Sequence, residues 1–174
     1  MKKVKKTAFA GIFIALSVVI LFIGSLIETL DMTVAALASF VITLAIIELG
    51  AYYPAAIYVG TSVLGLLLLP NKYGALIYCL FYGFYPMVKS KLEAKIKPRA
   101  LLFGIKLLIF AVSQTAVELL WIFIFAHGAM ESTLPIIAAT VALALITFVV
   151  FDFALSYISA VYIHKWRKYV KKFL

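Results

Sequence analysis

Carboxylates are the scarce chemical resource of this chain: it has seven, and six of them, Glu28, Asp31, Glu48, Glu118, Glu131 and Asp152, lie outside its middle basic cluster. Glu118 falls inside a long apolar run, where an ionised side chain is costly and usually faces a cavity or a partner. Trp121 follows three residues later, on the same helical face. A carboxylate beside an aromatic plate suits a cationic or heteroaromatic ligand, held by charge pairing together with stacking or cation-π attraction. Glu28, Asp31, Asn71, Lys72, His127 and Glu131 sit in short polar segments between apolar runs. With Glu118 and Trp121 they could converge as the mouth of a ligand site. The competing reading is that the loop acids are solvated and Trp121 anchors a membrane interface.

Other residues carry weaker signals. Asp152 and Lys106 lie at comparable depth in the last two apolar runs and could pair if those helices are adjacent, although Lys106 could equally snorkel toward headgroups. A proton-relay role for Asp152 or Glu48 lacks a chain of titratable partners. Tyr78, Tyr82 and Tyr85 recur on one face and could form a ligand wall, but tyrosines at this spacing more often pack or mark an interface. Cys79 is the sole cysteine, which excludes an intramolecular disulfide, a CxxC redox pair and a cysteine-based metal site. His127 and His164 are too far apart to suggest a metal set, and no phosphate-binding loop, HExxH or GxSxG is present. The expected protein is therefore not an enzyme, and no cofactor is implied.

The elements that position these groups follow from hydropathy and charge. Of 174 residues, 66% are hydrophobic and only 13% charged, with a mean hydropathy of +1.16. Such a chain is expected to live in a bilayer. Its net charge of +9 does not indicate nucleic acid, because the basic residues sit at the ends of apolar runs without interleaved stacking aromatics. They suit anionic lipid headgroups or an acidic partner. Fourteen of the 16 Lys and Arg fall in three groups: Lys2, Lys3, Lys5 and Lys6; Lys89 to Arg99; and Lys165 to Lys172. Short basic loops stay cytoplasmic, so an even number of spans must separate neighbouring groups.

Six spans satisfy that parity, at about residues 7–27, 33–49, 54–69, 73–88, 100–125 and 134–162. Both termini are then cytoplasmic, and Glu28, Asp31, Asn71, Lys72, His127 and Glu131 face outward. The first run is long enough to cross the membrane and is read as a retained helix rather than a cleaved signal. Spans three and four are short, so one could be re-entrant or the bilayer locally thin. Gly83, Phe84, Tyr85, Pro86 and Lys89 predict a kinked exit from the fourth span. The expected fold is an all-α integral membrane protein, a six-transmembrane-helix bundle forming one domain over residues 1–174.

Thr7, Gly11 and Ala15 place a small residue at every fourth position of the first span, a spacing that permits close helix approach. Taken together, six spans in under 200 residues, the basic start running into Gly11-Ile12-Phe13-Ile14-Ala15, and the basic tail resemble the substrate-binding S components of energy-coupling factor transporters. In that family an AxxxA pattern in the first helix docks on a transmembrane T component; here Gly11 replaces the first alanine. The resemblance implies capture of a small water-soluble nutrient, vitamin-like, at an external pocket capped by residues 28–31, 70–72 and 127–131. It also implies docking through Gly11 and Ala15, toppling of the subunit within the membrane, and ATPase partners that supply the energy. The acid-rich mouth favours a cationic or nitrogen-rich ligand. The expected location is a bacterial plasma membrane, as a multi-pass protein in contact with lipid. The alternative is a structural or assembly protein of the cell envelope that uses the bundle only for helix packing.

Overall fold

The computed structural model describes residues 3–27, 30–50, 52–124 and 134–167, excluding the side chains of residues 134–140 and Trp166. Apolar runs of this length fold as helices because only a helix satisfies every backbone N–H and C=O within its own segment. The order is α1 (Lys3–Ser25), α2 (Asp31–Leu49), α3 (Tyr52–Leu68), α4 (Lys72–Ile77), a π-helical turn (Tyr78–Tyr82), α5 (Tyr85–Lys95), α6 (Arg99–Ile124), α7 (Leu134–Val161) and a second π-helical turn (Tyr162–Trp166). No strand occurs among the described residues. Four helical stretches, α1, α2, α6 and Val141–Lys165, are long and apolar enough to cross a membrane. The shorter α3 is also apolar.

Local chemistry sets the breaks. Gly50, at φ 88°, ends α2 in a conformation that a side chain would strain, and Pro54 falls in the first turn of α3. The Asn71 side chain caps α4 by accepting from the Tyr73 N–H at 3.0 Å. Pro86 lies in the opening turn of α5, and the segment 96–98 separates α5 from α6. The fourth apolar run is thus not one uniform helix. It continues beyond residue 88 to Lys95, so the predicted exit at Pro86 is the start of α5 instead.

The π-helical turn has a specific supporting contact. The Gly83 N–H reaches back five residues to the Tyr78 carbonyl at 2.7 Å, and the Cys79 carbonyl accepts from the Tyr58 hydroxyl of α3 at 2.8 Å. Gly83 is the residue that lets Tyr58 in. A Cβ there would lie 2.6 Å from the Tyr58 ring and 2.9 Å from the Tyr78 carbonyl.

Close packing does the work that a hydrophobic driving force cannot do between helices in lipid. Gly24 of α1 meets Val34 of α2, where an added Cβ would come within 2.5 Å. Ile14 of α1 fills the space over Gly60 of α3. The broken fourth run is held to α6 and α7 by aromatic rings: Phe81 lies 4.8 Å from Tyr85 and 5.1 Å from Phe110, Phe110 stacks on Phe148 at 4.7 Å, and Tyr82 meets Phe151 edge-on at 4.7 Å. Tyr78, Tyr82 and Tyr85 are all buried in this core, so they are packing residues rather than a ligand wall. Large apolar side chains such as Phe123, Leu143 and Phe153 instead point out of the bundle.

Contacts also sort the helix ends. Lys6 donates to the Leu49 carbonyl at 3.1 Å and lies 5.8 Å over the Tyr53 ring, joining the start of α1, the end of α2 and the start of α3. Met87 packs with Ala10, Ile42 and Leu49 at that same end, and Glu48 faces Arg167 at 3.6 Å. Asp31, Asn71 and Glu118 gather at the other.

Candidate functional site

The opposite end of the bundle holds a cavity of about 340 Å³ lined by Asp31, Asn71, Tyr73, Glu118 and Trp121. Four of these, Asp31, Asn71, Glu118 and Trp121, are site residues expected from the sequence. Asp31 opens α2, where a carboxylate is favoured by the positive end of the helix dipole. It is 6% exposed and accepts a hydrogen bond from the Asn71 side chain at 2.8 Å. Asn71 therefore serves two elements, capping α4 through its carbonyl oxygen and fixing Asp31 through its amide. Gly74, the third residue of α4, admits the Asp31 carboxylate: a Cβ there would sit 2.7 Å from Oδ1.

The second carboxylate is built the same way. Tyr73 donates its hydroxyl to Glu118 Oε1 at 2.9 Å, and Gln114, one turn earlier on α6, donates to the same oxygen at 3.3 Å. Among the described residues no lysine, arginine or histidine forms an ion pair with Glu118. Trp121 meets the Tyr73 ring edge-on, with centroids 5.0 Å apart. The wall thus carries two oriented carboxylates, an amide, a phenol and an indole. Such a set can bind a cation with N–H donors and an aromatic or apolar portion. Tyr73 was missing from the sequence-derived set, although its place next to Lys72 at a helix start was a signal that it faced the same mouth.

Lys72 goes elsewhere. Its ammonium donates to the Leu69 and Leu66 carbonyls at 2.6 and 2.9 Å and lies 3.4 Å from that of Leu67, closing the C-terminal end of α3. It is not among the residues lining the cavity. Glu28, His127 and Glu131 lie outside the described residues. Gly11 and Ala15 are far from the mouth, on an exposed face of α1, and a Cβ at Gly11 would touch nothing within 4 Å.

A second polar assembly lies at the basic end. Asp152 of α7 accepts from Lys106 of α6 at 3.0 Å, from Tyr85 at 2.7 Å, and from Lys89 of α5. Lys89 also donates to Ser156 at 2.7 Å, while Lys106 pairs with Glu93 at 2.7 Å. The pairing of Lys106 with Asp152 was anticipated as one of two options; Lys89 and Glu93 were hidden within the basic cluster. Two lysines and two carboxylates balance, so the assembly joins α5, α6 and α7 without a net charge. Among the described residues, no group of His, Cys, Asp and Glu side chains could hold a metal ion.

No protein-family model, curated protein or solved structure matches this chain. The functional reading therefore rests on the chemistry of the mouth and the placement of the charges.

Proposed function

We propose that the chain is the membrane-embedded substrate-binding subunit of an importer of the energy-coupling factor type, and that it captures a small water-soluble nutrient, cationic or nitrogen-rich, at its external face. The observation that carries this reading is the convergence of Asp31, Asn71, Tyr73, Glu118 and Trp121 around one cavity. Two of the five lining residues are carboxylates, the side chains that suit a cationic ligand. A cation entering this partly dehydrated space exchanges water for oriented oxygens and an aromatic edge.

The six-span topology belongs to the same proposal. With the basic segments on the cytoplasmic side, the mouth faces outward and both termini face inward. The exposed Gly11 and Ala15 face of α1 is then the surface for a T component, and ATP is hydrolysed by partner ATPases.

The test is purification from native membranes followed by mass spectrometry of associated subunits and small molecules. Recovery of a transmembrane subunit, ATPases and a cationic compound supports the proposal. Recovery of cell-envelope enzymes without a small molecule favours the structural-protein reading and sinks it.

A further inference from the structure

The basic end of the bundle holds a second cavity, a cleft of about 230 Å³ between α2, α5, α7 and the second π-helical turn. Thr43, Pro86 and Leu155 form its buried floor. Its walls are Ile46, Ile47, Ser159 and Ile163, which are half-buried or exposed, so the cleft opens at the surface of the bundle. From Leu155 to Ile163 the lining runs about 12 Å along the helix axis. The α5 wall becomes polar over a similar length, from Pro86 through Lys89 and Ser90 to Glu93.

The charges around the cleft favour a headgroup at its basic end. Lys89 is enclosed and committed to Asp152, Ser156 and Glu93, so its ammonium belongs to the floor. Arg167, four residues beyond Ile163, reaches across to Glu48, the residue after Ile47, with Nε 3.6 Å from the carboxylate. Tyr162 also approaches Glu48. A guanidinium carries five N–H donors in a fork that fits phosphate oxygens, more than this one long contact uses. Glu48, Glu93 and Asp152 each face a basic partner, while Lys91, Lys95, Lys97, Arg99 and Lys165 are exposed at the same end. The described residues there carry a positive surplus.

A small polar solute gains nothing from isoleucine walls, and the volume falls below the ~300–1,000 Å³ usual for a site that encloses a whole small molecule. An acyl chain matches the walls, and a phosphate at its end matches the arginine. Basic pockets between membrane helices take anionic lipid headgroups on the same grounds.

We propose that this cleft is a binding site for an anionic phospholipid of the surrounding bilayer, with one acyl chain laid against Ile46, Leu155 and Ile163 and the phosphate held by Arg167. The site rests on the bilayer reading of the chain. It is independent of the external cavity and of any transport role.

The test is native mass spectrometry of the full chain, purified in detergent and given phosphatidylglycerol or phosphatidylcholine with the same acyl chains. One phosphatidylglycerol should stay bound under activation that strips phosphatidylcholine; equal retention of the two overturns the proposal. Arg167→Gln should lower the affinity for phosphatidylglycerol about fivefold. Lys3→Gln removes the same charge from an exposed position of α1 outside the cleft and should cost less. Equal losses in the two variants reduce the effect to general attraction and overturn the site. Ser159→Phe and Ile46→Phe fill the cleft from opposite walls without changing any charge, and either one, once its melting temperature in lipid-free detergent shows it folded, should no longer retain the lipid. Retention by a folded cleft-filled variant places the lipid elsewhere and sinks the assignment.

Discussion

Tyr73 donates a hydrogen bond to Glu118 across 45 residues of sequence, at 2.9 Å, and so ties the short α4 to the C-terminal part of α6. The contact orients a carboxylate while the ring of the same phenol meets Trp121 edge-on. Because the bonded oxygen already has Gln114 as a second donor, the carboxylate keeps its charge directed rather than mobile. Replacing it should therefore change binding more than folding.

Glu118→Gln keeps shape and hydrogen bonding but removes the charge. We expect the affinity for the co-purified cationic compound, measured by isothermal titration calorimetry, to fall roughly 10- to 150-fold, the equivalent of a charge-assisted hydrogen bond of about 1.5–3 kcal/mol. Unchanged affinity in a folded variant removes Glu118 from the site. Tyr73→Phe should give a smaller loss, because the carboxylate remains charged and only its orientation loosens.

Asp152→Asn should be the most destabilising single change at the basic end. The carboxylate accepts from both Lys89 and Lys106, each 5% exposed, and its neutralisation leaves two buried ammonium groups sharing Glu93 alone. A loss of about 3–5 kcal/mol is expected, seen as a large drop in melting temperature in detergent. Lys91→Met, at an exposed position two residues from Lys89, serves as the comparison and should be nearly neutral.

Gly83→Ala and Tyr58→Phe test the π-helical turn from its two sides. The alanine methyl collides with the Tyr58 ring and should cost about 1–3 kcal/mol through overpacking. Tyr58→Phe introduces no clash but leaves the Cys79 carbonyl without the hydroxyl that now reaches it, a loss of about 1–3 kcal/mol. Thermal unfolding of both variants would show whether the turn depends on space alone or on the hydrogen bond as well.

Gly11→Leu and Gly24→Ala separate an outer face of α1 from an inner one. The first meets open space and should leave the melting temperature unchanged while weakening association with a T component in pull-downs. The second drives a methyl group into Val34 and should destabilise the isolated protein by about 1–3 kcal/mol. Intact association in the Gly11 variant would remove this face from the docking proposal.

Hydropathy made the apolar helices legible because lipid imposes length and composition on anything that crosses it. The expected second and third runs, 33–49 and 54–69, lie within two residues of α2 and α3 at each end. Asp31 was legible as a mouth residue but not as the start of α2, since nothing in a local pattern shows that Asn71 and Gly74 would reach it from 40 residues away. Lys89 was misleading in the opposite sense. Its neighbours Lys91, Lys95 and Lys97 made it look like loop charge, and only the packing of α5 against α7 reveals that it is enclosed. The π-helical turn left no composition mark beyond Gly83, because a change from four-residue to five-residue hydrogen bonding concerns backbone phase rather than side-chain type.

That phase has a consequence for how the two polar ends are related. An α-helix turns by about 100° per residue, and a π-turn accommodates one residue more than the regular spiral would. Tyr73 lies before the extra residue and Lys89 after it, one serving the mouth and the other the lysine assembly. Deleting a single residue between 78 and 82 would let the turn close into a regular α-helix, with Tyr73 and Lys89 each kept near its own partner, whereas the same deletion from the regular part of α5 before Lys89 would rotate that lysine by about 100°. The turn is slack in the fourth run, taken up between two ends that are each tied to separate partners.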